Sequence, residues 1–307
     1  MFQLSRLRVF VEVARQGSIS AAAEELSYTQ SAVSQQIAAL EAETGVTLVE
    51  RLPRGVRLTT AGETLLAHAE GILGRIAAAE ADMEAIAGLR GGQLRMASFP
   101  TAGATLMPLA IALFRAQHPE VELTLAEGEP EEIAPRLHAG EFDLALLFEF
   151  EGESDKLFSY LTRQPLFEDP MFIALPADHP LAARRTLRLA DLRAEAWIQT
   201  SSSSPCARHV VRCCHVAGFE PIVSFESDDF GVVQGLVAAG VGVALIPKLA
   251  LASGREDIAI RALSPASPVR RVIAATPEGS RLTPAAAAMG AILETVAARF
   301  AGLGPLS

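Results

Sequence analysis

Residues 17–45 read GSISAAAEELSYTQSAVSQQIAALEAETG, and this stretch decides the fold of the first part of the chain. Ser20 is a predicted N-cap for a short helix over residues 21–27. Thr29 is a predicted N-cap for a second helix over residues 30–44, which the following glycine ends. Two short helices joined by a tight turn are typical of a helix-turn-helix motif.

The segments on either side extend this motif. Apolar residues recur at helical spacing over residues 4–14, which predicts a further helix before it. Residues 46–58, VTLVERLPRGVRL, alternate around Pro53 and Gly55 and predict a two-stranded wing. The sequence therefore predicts a winged helix-turn-helix over residues 1–59.

A long helix is predicted to follow the wing. Thr60 and Glu63 form a capping-box pattern, and helical periodicity continues to about Gly88, before Arg-Gly-Gly at 90–92 forms a predicted hinge. Apolar residues alternate at spacings of 4 and 3, which is a heptad stripe typical of helices that pair with another chain. The stripe consists of Leu65, Ala69, Ile72, Ile76, Ala79, Met83 and Ile86. The alternative is a stripe that packs on its own domain, but the unbroken length favours dimerisation.

From Gln93 onward, short apolar strands alternate with amphipathic helices, which predicts an α/β fold with an open sheet. The predicted strands are LRMAS (94–98), VELTLAE (121–127), DLALLFE (143–149), FIALP (172–176), WIQT (197–200), VSFES (223–227), VALIP (243–247) and VRRVIAAT (269–276). The predicted helices lie near 103–117, 130–139, 205–217, 229–239 and 284–300.

The composition limits the class of protein. A chain of 307 residues predicts about two globular domains, and 3 cysteines exclude a disulfide scaffold. A net charge of -10 argues against a surface that is basic throughout, so nucleic-acid binding must come from a local patch. Lys156 and Lys248 are the only lysines, which leaves the positive charge on arginine and favours bidentate contacts with anions.

No export or membrane segment is predicted. Charged residues interrupt residues 1–16 and leave no apolar core for a signal peptide. Residues 230–247 are uncharged and long enough to raise the question of a membrane helix. Glycines interrupt that run, however, so a helix followed by a buried strand is the favoured interpretation. We expect a cytoplasmic protein with reduced thiols.

The distribution of charge, rather than its sum, indicates DNA binding, because the six arginines and six glutamates of residues 1–60 cancel. The second helix of the motif begins with an uncharged, hydrogen-bonding run, and the wing concentrates arginines. Such a helix can reach base edges, while wing arginines meet the backbone or the minor groove. The candidate DNA-binding residues are Thr29, Gln30, Ser31, Ser34 and Gln35 on the helix and Arg51 and Arg54 on the wing. The alternative is a polar helix face that is simply solvated.

The same region resembles the N-terminal signature of the LysR-type transcriptional regulators. The resemblance rests on residues 10–51, from FVEVARQGSIS to GVTLVER, and on RLTTAG at 57–62. Val49 stands where the family often has phenylalanine. The resemblance continues through the heptad helix to LHAGEFDLAL (137–146) and LVAAGVGVALIP (236–247), and so spans essentially the whole chain.

This resemblance implies a fold in three parts. They are a winged helix-turn-helix DNA-binding domain (1–59), a linker and dimerisation helix (60–90), and a two-lobed α/β effector-binding domain (91–307) similar to periplasmic solute-binding proteins. The chain is expected to cross between the lobes near 161–164 and 264–267, which assigns 91–163 and 268–307 to the first lobe and 164–267 to the second.

The resemblance also implies partners. They are double-stranded promoter DNA, a small-molecule effector in the cleft between the lobes, other copies of the chain in a homodimer or homotetramer, and RNA polymerase. No cofactor and no membrane contact are expected.

Candidate effector-binding residues lie where strands end and helices begin. Hydroxyls and free amides at a helix N-terminus suit an anionic group such as a carboxylate, and corresponding positions in similar family members contact effectors. The candidates are Ser98, Pro100, Thr101, Phe148, Thr200, Ser201, Ser202, Asp228 and Phe230, with Glu149 and Asp229 beside them. The alternative for each polar residue is plain helix capping, and the two aspartates disfavour a highly charged anion.

A second set of residues raises the question of a metal or redox site. Cys206, His209 and Cys213 share one face of a predicted helix and offer soft ligands to zinc or copper. The two cysteines are too far apart in an intact helix for a disulfide, and we expect buried thiols without a metal.

Two other classes of protein explain the sequence less well. It contains no HExxH, GxSxG, P-loop or GxGxxG motif, so no enzyme is expected. A solute-binding protein without a DNA function leaves the first ninety residues unexplained.

Overall fold

The first helices follow the predicted order in a computed structural model that describes residues 3–52, 55–86, 92–151, 158–252, 255–279 and 282–301. They are α1 (Leu4–Gln16), α2 (Ile19–Glu25) and α3 (Gln30–Thr44). Thr29 caps α3 as predicted, because its Oγ1 accepts a hydrogen bond from the Ala32 N–H at 3.2 Å. The chain as a whole divides into two units, Met1–Gly92 with Pro135–Asp143, and Gln93–Ala134 with Leu144–Ser307.

The predicted N-cap of α2 was wrong by two residues. Ser18, not Ser20, caps the helix, since its Oγ accepts a hydrogen bond from the Ala21 N–H at 3.3 Å. Gly17 adopts the left-handed conformation, with φ of 59°, which ends α1 and turns the chain early enough for Ser18 to take the capping position.

The predicted wing is confirmed. Strands β1 (Val49–Leu52) and β2 (Gly55–Leu58) pair antiparallel, with Val49 opposite Leu58. Helix α4 (Thr60–Ile86) follows at once and closes one hydrophobic core with α1 and α3. That core includes Phe10, Val33, Ile37, Leu40, Leu48 and Ala69, each at most 1% exposed.

The cap of α4 is Thr59 rather than the predicted Thr60. Its Oγ1 accepts a hydrogen bond from the Gly62 N–H at 3.1 Å and donates one to the Thr47 carbonyl at 2.7 Å. Gly62 itself packs against the chain that leads into the wing, because a Cβ at this position would overlap the Leu48 carbonyl oxygen. The glycine of RLTTAG is therefore required by close backbone approach.

The second unit alternates strands and helices as predicted. The helices are α5 (Pro100–Gln117), α6 (Pro130–His138, whose last turn falls in the first unit), α7 (Pro205–Val216), α8 (Phe230–Ala238) and α9 (Pro284–Ala301). The strands are β3 (Gln93–Ser98), β4 (Glu122–Glu127), β5 (Leu144–Phe150), β6 (Leu161–Pro176), β7 (Thr186–Leu187), β8 (Ala196–Gln199), β9 (Ile222–Glu226), β10 (Ala244–Pro247), β11 (Ile258–Leu263) and β12 (Val269–Pro277).

The sheet is mixed, and its order is β4-β3-β5-β12-β6-β11-β7. β3 pairs parallel with β4 and β5, whereas β12 pairs antiparallel with β5 and β6. β10 also pairs with β6, and a bridge from Trp197 to Val243 brings the parallel pair β8-β9 beside it. The two lobes are thus α/β layers that share the strands of one mixed sheet.

β6 joins these layers, and it is longer than the strand predicted at 172–176. Its first part, to Pro170, pairs with β12, and its remainder pairs with β10 and β11. Pro165, Pro170 and the charges between them are typical of a loop. Pairing along β12, with an irregularity opposite Val272, overrides that local preference. β7 and β11 were not predicted either, since β7 is only two residues long and the sequence IAIRAL of β11 does not alternate apolar with polar residues.

The uncharged run from Phe230 to Pro247 forms α8 followed by β10, as predicted. Among the described helices, none combines the length and the apolar character that crossing a bilayer requires.

Candidate functional site

The N-terminal end of α3 presents most of its predicted DNA-binding side chains to solvent. Gln30, Ser31 and Gln35 are exposed, and Ser34 is half-buried. The Thr29 hydroxyl is occupied by capping and lies 3.0 Å from the Ser31 Oγ. The glutamine side chains and Ser31 therefore face solvent, whereas Thr29 caps the helix.

The wing carries less free charge than its sequence indicates. Arg51 is exposed on β1, but Arg57 donates a hydrogen bond to the Glu50 carboxylate at 2.6 Å. The predicted contact Arg54 lies outside the described residues. Tyr28, in the turn before α3, is 51% exposed.

The heptad residues of α4 divide into two groups. Leu65 and Ala69 pack into the core of the winged helix-turn-helix, whereas Ile72, Ala79 and Met83 are exposed. Ile76 is half-buried, and the side chain of Ile86 lies outside the description. The exposed fractions of Ile72 and Met83 are 40% and 59%, which is unusual for such large apolar side chains.

The first group of predicted effector residues lies at the end of β3 and the start of α5. Ser98 is buried, and its Oγ donates a hydrogen bond to the adjacent Phe99 carbonyl at 3.1 Å. Pro100 occupies the first turn of α5, and Phe148 packs edge-on against Phe99 with ring centroids 5.0 Å apart. Thr101 is also buried, and its hydroxyl is already engaged by an arginine.

That arginine, Arg270 on β12, was missed from the sequence. It is 1% exposed, its Nη2 donates to the Thr101 Oγ1 at 2.6 Å, and its guanidinium lies over the rings of Phe99 and Phe148 at 4.9 and 4.8 Å. Its Nε donates to the Asp169 carboxylate at 2.8 Å. The two adjacent arginines, Arg270 and Arg271, within the mostly apolar VRRVIAAT were the signal that could have found it.

The second group surrounds the N-termini of α7 and α8. The Thr200 and Ser204 hydroxyls hydrogen-bond to each other, and Ser204 caps α7. The Ser201 N–H donates to the Asp228 Oδ1 at 2.8 Å, which joins two predicted residues. Ser202 is exposed and Phe230 is half-buried. Asp229 is the N-cap of α8, so helix capping accounts for that aspartate.

Glu129, which was not predicted from the sequence, lies between β4 and α6 and connects the two groups. Its carboxylate interacts electrostatically with Arg270 beside the first group and with Asp228 in the second. Burial, reinforced by nearby carboxylates, raises the pKa of Glu129 to about 7, although Arg270 opposes the shift. Its buried Oε2 has no hydrogen-bond partner among the described residues. Beside it, Glu131 of α6 forms an ion pair with Arg208 of α7.

Two of the three cysteines of α7, Cys206 and Cys214, are buried as expected, whereas Cys213 is half-buried. Burial raises the pKa values of Cys206 and Cys214 to about 12, so both thiols stay protonated. His209 stacks on Phe150 with centroids 3.7 Å apart, and burial lowers its pKa to about 4. Within the part of the chain that the structure describes, no three His, Cys, Asp or Glu side chains form a cluster able to hold a metal ion.

Profiles of two protein families match the chain. The LysR substrate binding domain matches residues 87–298, and the bacterial regulatory helix-turn-helix protein of the lysR family matches residues 4–63. The transcriptional dual regulator GltC of Bacillus subtilis (strain 168) is 33% identical over 286 residues, covering 92% of this chain and 94% of GltC. The dual regulator OxyR of Escherichia coli (strain K12) is 29% identical, with coverages of 81% and 80%.

Solved structures of full-length regulators share the fold of this chain. A variant of full-length OxyR from Pseudomonas aeruginosa superposes with a TM-score of 0.70 at 26% identity, covering 97% of this chain and 95% of that one. Full-length CbnR in complex with its target DNA shares the fold, with a TM-score of 0.68 at 24% identity and coverages of 96% and 100%. Since one profile covers well over half of the chain and GltC is similar along nearly all of it, this chain belongs to the LysR family of DNA-binding transcriptional regulators with an effector-binding domain.

Proposed function

We propose that α3 reads promoter sequence through Gln30, Ser31, Ser34 and Gln35, and that Thr29 sets the position of this helix. Exposure of the amide and hydroxyl groups at the helix start supports this assignment, because such groups pair with base edges in the major groove. Arg51 and Arg54 of the wing contact the DNA backbone or the minor groove.

The effector binds among Ser98, Pro100, Thr101, Phe148, Thr200, Ser201, Ser202, Asp228 and Phe230. The position of Glu129, in electrostatic contact with both groups of these residues, is the observation that carries this proposal. Ser201 and Ser202 offer polar groups at the solvent side, while Thr101 acts through Arg270.

The effector is a small monoanion such as a monocarboxylate. Helix N-termini favour an anionic group, and Glu129 in its protonated form can donate a hydrogen bond to that group. Asp228, Glu131 and ionised Glu129 repel a second negative charge, which disfavours dicarboxylates.

The chain acts in the cytoplasm as a homodimer or homotetramer, and α4 supplies one contact between copies. The exposed apolar side chains Ile72 and Met83 support that contact. We propose the division 1–59, 60–90 and 91–307 for the DNA-binding, linker and effector-binding parts. RNA polymerase is the further partner through which promoter binding acts on transcription.

The test begins with selection of genomic DNA fragments that the purified protein binds. DNase footprints on a selected site are then compared with and without panels of monocarboxylates, dicarboxylates and amines. A monocarboxylate should change the footprint of the native protein and of the control Ser203→Ala, but not that of Ser201→Ala with Ser202→Ala. A response to dicarboxylates or amines alone would contradict the proposed effector class, and a full response in the double variant would contradict the site.

A further inference from the structure

A cavity of 590 Å³ lies outside the effector site, between α7, the turn at 188–190 and the segment at 263–268. Its volume falls within the range of about 300 to 1,000 Å³ that is common for small-molecule sites. Most of its wall is apolar. The apolar lining residues are Leu189, Ala190, Val216, Ala217, Leu263, Pro265, Ala266 and Pro268.

The charged side chains that line this cavity, among the described residues, are positive. Among the described lining residues, the charged side chains are Arg188 and Arg212, and none is acidic. His209 Nδ1 accepts a hydrogen bond from Arg212 Nη2 at 2.8 Å, which holds that guanidinium at the wall. The lowered pKa of His209 keeps this nitrogen an acceptor at neutral pH. Val216, at the end of α7, is 87% exposed, so apolar surface continues to the rim.

We propose that this cavity binds an amphipathic anion, with an apolar body against Leu189, Leu263 and Pro265 and its acidic group on Arg188 and Arg212. Guanidinium groups bind carboxylates through charge-assisted, often bidentate hydrogen bonds, and burial of the apolar body supplies the remaining affinity. A medium-chain fatty acid has this chemistry and fits the volume.

The cavity lies where a bound ligand would contact elements that connect the two lobes. The segment at 264–268 connects β11, which pairs with the second part of β6, to β12, which pairs with the first part. On the opposite wall, α7 carries His209, which stacks on Phe150 of β5. A ligand that fills the cavity therefore contacts both the lobe connection and α7.

Calorimetric titration with decanoate tests the proposal, with decanol and decylamine as probes of the acidic group. Decanoate should bind once per chain, and decanol and decylamine should bind at least roughly tenfold more weakly. Arg188→Gln with Arg212→Gln should weaken decanoate binding by about tenfold or more. Arg184→Gln is the matched control, since Arg184 is exposed, pairs with Asp191 and does not line the cavity.

The location can be measured independently of these variants. Cys213 lines the cavity and is half-buried, whereas Cys206 and Cys214 are buried. Bound decanoate should slow alkylation of Cys213, measured by mass spectrometry of the native protein, with Cys213→Ser as the control for labelling elsewhere.

Several outcomes would overturn the proposal. They are no binding of decanoate, equal binding by the double arginine variant, or unchanged labelling of Cys213 at saturation. Loss of decanoate binding in Ser201→Ala with Ser202→Ala, but not in the arginine variant, would place the ligand in the effector site and leave only the proposed function standing. A smaller oligomer for Val216→Asp in analytical ultracentrifugation would show that the cavity faces another copy of the chain, which also contradicts a ligand site.

Discussion

The Arg270 Nε donates a hydrogen bond to the Asp169 Oδ2 at 2.8 Å, and both side chains are 1% exposed. Asp169 uses its other oxygen to accept from the Leu249 N–H at 3.1 Å. One carboxylate thus ties β6 to β12 and to the turn after β10. Because Arg270 also holds Thr101, this pair links the sheet to the first turn of α5.

Asp169→Asn should destabilise the protein by roughly 3 to 5 kcal/mol, because it leaves the Arg270 guanidinium buried without its counter-charge. Urea unfolding measures the difference. The exposed pair Arg184 and Asp191 provides the control, and Asp191→Asn should change stability by less than about 1 kcal/mol. Similar losses of stability for Asp169→Asn and Asp191→Asn would contradict the larger contribution expected of the buried ion pair.

DNA-binding variants should separate base reading from charge. Gln30→Ala should lower discrimination between promoter sequences by about 1 to 3 kcal/mol, because the helix loses a base contact. Arg51→Ala should weaken binding to all sequences alike and reduce the slope against log salt concentration by about one. Anisotropy titrations at several salt concentrations measure both effects. Glu50→Gln with Arg57→Gln is the control for the wing, since this ion pair carries no net charge and the slope should stay unchanged.

Local patterns in the sequence predicted the elements, whereas long-range contacts decided the site. The Thr29 cap and the alternation of the wing depend on neighbouring residues and were predicted correctly. Arg270 and Asp169 are a hundred positions apart, and their pairing follows from β6 lying beside β12. Glu129 lies in the acid-rich run 127–132, which is typical of a solvated loop. Its burial depends on the tertiary structure.

Oligomerisation should depend on the exposed part of the α4 stripe. Ile72→Asp with Met83→Asp should lower the oligomeric state measured by light scattering and weaken promoter binding, because a single copy reaches only one half-site. His68→Asp adds one such charge at an exposed position outside the stripe and should leave the oligomer intact. An unchanged mass for the double variant would place the contact between copies elsewhere.

The raised pKa of Glu129 contributes stability that is lost as pH rises, whereas the lowered pKa of His209 contributes stability that is gained between about pH 4 and 6.5. The folded state holds this proton to about pH 7, whereas the unfolded chain releases it near the ordinary value of 4.5. Between these values the folded state binds more protons at this carboxyl, so its contribution to the free energy of unfolding decreases with increasing pH and levels off above about 7. The full difference is at most about 3 kcal/mol. Arg270, Glu131, Glu132 and Asp228 face this carboxyl and set the shift together with burial.

Glu129→Gln should remove this contribution, because the amide is neutral throughout, and should leave that of His209 in place. The variant should resemble the native protein at pH 5 and be more stable by roughly 1 to 3 kcal/mol at pH 8, measured by urea unfolding across this range. Glu120→Gln is the control, since its exposed carboxylate should leave the pH profile unchanged. A difference in unfolding free energy between the native protein and Glu129→Gln that stays constant from pH 5 to 8 would contradict a half-buried, protonated Glu129. Binding of a monocarboxylate effector should follow the same titration and weaken above about pH 7, because ionised Glu129 then repels the ligand.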